Sequence, residues 1–214
     1  DWERMEINYV NARYPKLTAK YIEQARRTLS RAAAKAPHDP SLEAVMGLCE
    51  CDAGNDAGAR PLLEAAAAAG VVRPRVYYEL ARLRYLAAKA APALPEGRLS
   101  AAQASEVLRP LTAAHRQLPP LIETYALAAD VWSRSAVPLS RRNLDVLDEG
   151  VAYFPWNEPL TYRVAWLNAR DGFKAQAEAL IARGLGAAPP PPVQAQFEQL
   201  RASLASSQPA TPAP

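Results

Sequence analysis

The side chains in this chain that could do chemistry are few and scattered. Cys49 and Cys51 flank Glu50, a spacing that can hold a soft metal only if further ligands join it. On a helix, residues two apart point to nearly opposite sides, so the pair does not form a disulfide framework. The two histidines, His38 and His115, stand far away in sequence. His38 falls in the turn Pro37-His38-Asp39-Pro40 and His115 near a helix end, positions that suit surface or capping roles. The plainer role for the cysteines is that of small residues packing in an Ala-rich core. Asp145, Asp148 and Glu149 share a helix with Arg141 and Arg142 before them, which reads as a solvated charged face. There is no His-Glu-x-x-His, no Gly-x-Ser-x-Gly, no phosphate loop and no dinucleotide fingerprint. Catalysis needs a nucleophile with its base, a carboxylate pair in a pocket or a metal cluster. The chain therefore reads as no enzyme, with no catalytic residue, no metal and no cofactor expected. The remaining constellation is a binding one: Tyr162, Trp166 and Arg170 at i, i+4, i+8 lie on one helical stripe.

The elements that carry these residues follow from composition and period. The 214 residues are 50% hydrophobic and 22% charged, enough to bury a core and too apolar for a disordered chain. Of these, 45 are Ala, the strongest helix former, so the composition favours helices over strands and speaks against an all-β chain. The net charge of +3 is too mild for a nucleic-acid stripe. No apolar run approaches the roughly 18 residues of a membrane span. The opening Asp1-Trp2-Glu3-Arg4 resembles neither an initiator Met nor a basic signal segment, so the chain reads as a piece of a longer protein or a processed form. Its compartment stays open: cytoplasmic or, after removal of a signal peptide, periplasmic or secreted.

A repeat organises the chain. Ala25-x3-Leu29-x2-Ala32-x4-Pro37 recurs 34 residues later as Ala59-x3-Leu63-x2-Ala66. Asn143-x3-Leu147-x2-Gly150-x4-Pro155 recurs at the same displacement as Ala177-x3-Ile181-x2-Gly184-x4-Pro189. Between them, Ala104-x3-Leu108-x2-Leu111 lies 45 residues after Ala59 and 39 before Asn143, which fits the period with loop insertions at Ala90 to Leu99 and around Ser133 to Ser140. Each unit also carries a small residue behind a larger apolar one in its first helix: Met46-Gly47, Leu80-Ala81, Tyr125-Ala126 and Val164-Ala165. The pattern predicts helix pairs at Ser41 to Ala53 with Ala57 to Ala69, Arg75 to Lys89 with Ser100 to Arg116, Pro120 to Ser133 with Ser140 to Tyr153, and Glu158 to Asp171 with Lys174 to Leu185. Before them come a helix over Asp1 to Ala12 and a second over Leu17 to Ala36, with Thr18 as N-cap and Pro15 as the break between the two. Gly184 and Gly186 read as a helix stop, the Pro189 to Pro192 run as extended, and Val193 to Ala205 as a helix burying Val193, Phe197 and Leu200.

These residues resemble the tetratricopeptide repeat (TPR) family, best in Met46-Gly47, Gly54-Asn55-Asp56, Ala59, Leu63 and Ala66, and again in Val164-Ala165, Gly172, Ala177, Ile181 and Pro189. The family's large first-helix residue is Glu43 in one unit and Thr161 in another, and its second-helix aromatic is aliphatic throughout, so these are divergent repeats of a bacterial type. The resemblance implies an all-α, right-handed superhelical solenoid of about five helix-turn-helix units. Residues 1–189 would form the repeat domain, in units of about 1–39, 40–73, 74–118, 119–157 and 158–189. A capping helix over 190–205 and a low-complexity, weakly ordered tail over 206–214 would follow.

The resemblance also implies a concave surface lined by the first helix of each unit, where a peptide or partner protein binds. On that surface the alignment places Arg75, Tyr78, Arg82 and Tyr85, then Glu123, Leu127 and Asp130, then Tyr162, Trp166 and Arg170. Tyr, Trp and Arg are the residues that interface hot spots favour. The aromatics equally suit packing between repeats, with the arginines reaching into water; Tyr85 and Trp166 fit either role, and Tyr77 falls on the inter-helix side. One subgroup grips a peptide's terminal carboxylate with Lys and Asn; the matching places here hold Tyr78, Arg82, Leu48 and Ala44, which argues against that ligand. The expected function is a non-catalytic interaction scaffold. The alternative is a C-terminal helical appendage of a larger bacterial enzyme, such as a peptidase, whose catalytic domain lies upstream of residue 1.

Overall fold

The computed structural model describes residues 15–91 and 98–206, and within these ten helices account for almost the whole chain. They are α1 (Pro15–Lys35), α2 (Pro40–Asp52), α3 (Asp56–Ala68), α4 (Pro74–Ala90), α5 (Ala101–His115), α6 (Ile122–Arg134), α7 (Arg141–Tyr153), α8 (Glu158–Arg170), α9 (Lys174–Gly186) and α10 (Pro191–Ser206). The expected helix over Asp1 to Ala12 and most of the expected tail lie outside the described residues.

Local sequence sets most of the ends. Asp39 accepts from the Ser41 and Leu42 amides, with Pro40 at the first helical position. Ser100 with Gln103, and Ser140 with Asn143, each close a reciprocal capping box. Gly54, Gly70 and Gly172 take positive φ just past α2, α3 and α8, and the next amide reaches back to Glu50, Ala66 and Asn168 in the Schellman manner.

Three expected boundaries are corrected. Helix α1 starts at Pro15, so Thr18 lies inside it rather than at its cap; proline lacks only a donor that a first turn leaves unused. For the same reason α10 starts at Pro191, and the extended run stops at Pro190, whose carbonyl accepts from Val193 and Gln194. The stop after α9 falls on Ala188, at φ 51°, and Gly184 lies within the helix. Two prolines also sit inside helices, Pro61 and Pro110. Pro110 cannot donate to the Glu106 carbonyl four residues back, and Arg84 of α4 donates to it instead at 3.2 Å.

Consecutive helices pack as hairpins. The even-numbered helices α2, α4, α6, α8 and α10 also touch one another in succession, so they form one continuous inner row backed by the odd-numbered ones. This is the expected all-α solenoid of TPR-like hairpins, closed at its end by Phe197, Leu200 and Leu204 of α10 against Ala165, Ala177 and Ile181. The crossings are close at most of the places where the sequence put small residues: Ala59, Ala66, Ala81, Ala104, Ala165 and Ala177 are buried, whereas Ala126 is only half-buried. Gly150 and Gly184 face whole aromatic rings, those of Tyr125 and Phe197.

The two insertions, far apart in sequence, meet in space at Leu99 and Ser135. Leu99 donates to the Arg134 carbonyl and accepts from the Ala136 amide, forming a parallel bridge with Ser135. Leu99 and Leu139 are buried in the central core, which pins both loops to it.

A methyl added at Gly150 would come within 2.5 Å of the Tyr125 ring and 2.8 Å of its Cβ, which cannot swing away. Gly150→Ala is therefore expected to lose about 1–3 kcal/mol to overpacking against a gain of about 1 kcal/mol in helix propensity. Thermal unfolding followed by circular dichroism should show a lower Tm; an unchanged or higher one would show that the ring has room to move.

Candidate interaction groove

Helix α8 carries the stripe foreseen in the sequence. Asn157 caps it by accepting from the Leu160 amide, and its apolar side (Leu160, Val164, Leu167) is buried in the central core. That burial turns Tyr162, Trp166 and Arg170 toward the surface of the inner row. Tyr162 packs edge-on against Phe197 of α10 with ring centroids 5.4 Å apart, and the Arg170 guanidinium lies 5.3 Å from the Trp166 ring centre.

Two surface pockets adjoin along this stripe. The first, about 460 Å³, is lined by Tyr162, Arg163, Trp166, Val193 and Gln196 together with Ser133 and Pro159. The second, about 400 Å³, lies between Trp166, Arg170 and Asp171 on one side and Arg98, Val137 and Pro138 on the other. Both include Ser133 and Trp166, so they form one trough with Trp166 at its middle. The wall of the second pocket consists largely of insertion residues.

Polar contacts hold the trough in shape. Arg170 donates to Asp171 at 2.7 Å and to the Trp132 carbonyl at 3.0 Å, and Asp171 accepts from the Leu139 amide at 3.3 Å. The end of α8 thus clasps the second insertion. Deeper along the inner row, Asp130 of α6 gathers three helices: it accepts from the Tyr85 hydroxyl of α4, from Arg163 of α8 at 3.1 Å, and faces Arg134 at 3.7 Å. Burial, and then Asp130 beside it, push the Tyr85 phenol well above its ordinary range, so it stays a neutral donor. Tyr85 is 6% exposed and anchors the core beneath the inner surface.

The other foreseen residues stand apart from the trough. Arg75 pairs with Asp52 and Arg82 with Glu79 at 2.6 Å and Asp56 at 2.8 Å, tying α4 to the α2–α3 turn. Burial works against the Arg82 charge, but those two carboxylates outweigh it and hold its pKa above the ordinary value. Tyr78 and Leu127 pack half-buried on the central core, and Glu123 is half-buried at the start of α6. Tyr77 is buried among Val76, Leu80 and Leu83.

Reactive groups elsewhere are embedded in structure. Burial raises both thiols, Cys51 to about 11. Of the carboxylates foreseen as a solvated face, Asp145 is exposed as expected, while Asp148 and Glu149 are partly covered and tie α7 to its neighbours. Arg141 bonds Asp145, Asp148 and the fully buried Asn168, lacing α7 to α8, and Glu149 meets His115 of α5 at 2.8 Å. His38 is exposed near Glu43. Among the described residues no cluster of three His, Cys, Asp or Glu could hold a metal ion, and no helix is long and apolar enough to cross a membrane.

Sequence reasoning missed Arg163, Gln196, Arg98 and Val137, and expected Val193 to be buried, whereas it is half-buried at the trough. Arg163 had a signal, three residues before Trp166 on the same helix; the others reach the trough only through the docking of α10 and the meeting of the insertions.

Two crystal structures of MamA share this fold. One has a TM-score of 0.57 at 12% identity, over 88% of this chain and 95% of that one; the other matches at the same score and identity over 96% of each. At that identity the likeness is one of fold. No protein-family model matches the chain, and no curated protein does.

Two measurements test this description. Tyr85→Phe removes a hydrogen bond to a charged acceptor and is expected to cost about 1.5–3 kcal/mol in urea unfolding; no loss would mean that Tyr85 holds the three helices by packing alone. Because its folded pKa is raised, the Cys51 thiol should label slowly in the native protein near about pH 8 and quickly in urea. Equal rates would show that the thiol is open.

Proposed function

We propose that this chain is a non-catalytic scaffold that holds a partner protein or peptide in the trough along α8. The observation that carries this reading is the adjoining pair of pockets on the inner row, floored by Tyr162 and Trp166 and edged by arginines. Half-exposed Trp and Tyr offer large contact area with little entropy to lose, and arginine adds directed donors, which is the chemistry of an interface centre. Among the described residues, the raised thiols and the carboxylates bonded to arginines are held in structure, which supports a binding role over a catalytic one.

The foreseen stripe is narrowed accordingly. Trp166, Tyr162 and Arg163 are the contact residues proposed, whereas Arg75, Arg82, Tyr85, Asp130 and Arg170 shape the surface through their pairs with neighbouring helices. Glu123, Leu127 and Tyr78 flank it.

A photo-crosslinking side chain at Gln196, inside the trough, is expected to capture a discrete partner in the native host, and one at Glu178, on an outer helix, is not. Trp166→Ala should abolish that capture with the helical circular dichroism intact. Gln196→Trp, which fills the first pocket from an exposed position without removing any core atom, should reduce binding of the captured partner by about 10-fold or more, the scale of a hot-spot loss. Capture at Glu178 alone, or full binding by both variants, would remove the trough from the function.

A further inference from the structure

Resting on the reading of the trough as a partner-binding surface, we propose that its occupant is an acidic segment of a partner protein. Its carboxylates meet the Arg134 and Arg163 guanidiniums, and an apolar side chain of the same segment lies on Trp166. The charge balance of the trough carries this. Arg163 and Arg170 line the two pockets, and Arg170 is matched by the carboxylate of Asp171. That carboxylate is already held by Arg170 and by the Leu139 amide. At the edge, one Asp130 stands between two guanidiniums, Arg134 and Arg163, while also accepting from Tyr85. One carboxylate cannot neutralise two guanidiniums, so positive charge is left over there, in a chain whose whole formal excess is +3.

Both arginines can use that surplus. Their side chains are 48% and 43% exposed, so each can meet an incoming carboxylate while Asp130 stays bonded to the other. Arginine presents paired donors that match a carboxylate's two oxygens. Beside them the Trp166 and Tyr162 rings, with Val193 and Val137, supply the apolar contact that a purely ionic ligand would not use. A nucleic acid fits less well, because a phosphate backbone draws on a row of uncompensated cations, and Arg163 and Arg170 are each bonded to a carboxylate. The wall formed by Val137 and Pro138 belongs to an insertion, so this site lies apart from the clamp positions Tyr78, Arg82, Leu48 and Ala44 in the earlier units.

The test uses fluorescence anisotropy with the whole chain and three short labelled peptides that alternate Phe with Glu, Gln or Lys, and an oligouridylate alongside. The Glu–Phe peptide is expected to bind about 10-fold or more tightly than its Gln–Phe counterpart, with an advantage that shrinks as salt rises. That advantage should vanish in an Arg134→Gln, Arg163→Gln double variant whose helical circular dichroism and Tm match the parent chain, and should survive in Arg163→Lys, which keeps the charge; together these separate lost charge from lost folding. Equal binding of Glu–Phe and Gln–Phe, both abolished by Gln196→Trp, would overturn the acidic preference and leave the trough in place. Tighter binding of Lys–Phe or of the oligouridylate would overturn it as well. Glu–Phe binding indifferent to Gln196→Trp would place the peptide elsewhere and overturn both readings.

Discussion

Close approach of neighbouring helices is the constraint on which the rest of this structure depends. Two helices can bury each other's faces at short distance only where one of them lacks side-chain bulk. Here that place recurs with the repeat, at Ala59, Ala66, Ala81, Ala104, Ala165 and Ala177. Where the facing side chain is a whole ring, even a methyl is too much, and glycine stands at 150 and 184. The price of those glycines in helix propensity is offset by the rings they admit, Tyr125 into the central core and Phe197 into the cap.

Stacking of this kind produces an inner row of helices, and polar bonds then set how that row presents itself. Asp130 joins α4, α6 and α8 through Tyr85 and Arg163, and Arg141 joins α7 to α8 through Asn168. Buried or half-buried charges of this sort hold geometry when every partner is present and are costly when one is removed. The consequence for function is that several arginines on the inner surface are occupied in shaping it, and the partner-facing chemistry concentrates around Trp166. The insertions act in the same direction. Paired at Leu99 and Ser135 and clasped by Arg170 and Asp171, they raise a wall beside the α8 stripe that a bare repeat would lack.

Much of this was legible beforehand. The displacement between Asn143 and Ala177, the helix starts at Ser100 and Ser140 and the repeat positions Gly54 and Gly172 act over a few residues or repeat down the chain, so one sequence suffices to see them. The stripe Tyr162, Trp166, Arg170 was visible for the same reason, since i, i+4 spacing alone puts its members on one face. What escaped was any role set by a partner far along the chain. Arg82 and Arg170 read as contact residues, yet one pairs with Asp56 and the other with Asp171 and a carbonyl at the end of α6. Asp148 and Glu149 read as solvated, yet they bond Arg141 and His115.

Sequence by itself determined that the chain is helical, that its helices come in pairs with a repeating small residue, and which stripe of α8 faces outward, because propensity, capping and periodicity are local and need no knowledge of neighbours. Tertiary structure alone decided that the two insertions meet, that Gly184 admits Phe197 rather than ending a helix, and that Arg163, Val193 and Gln196 share one trough with Trp166. Those outcomes rest on contacts between residues tens of positions apart, and no local rule carries that information.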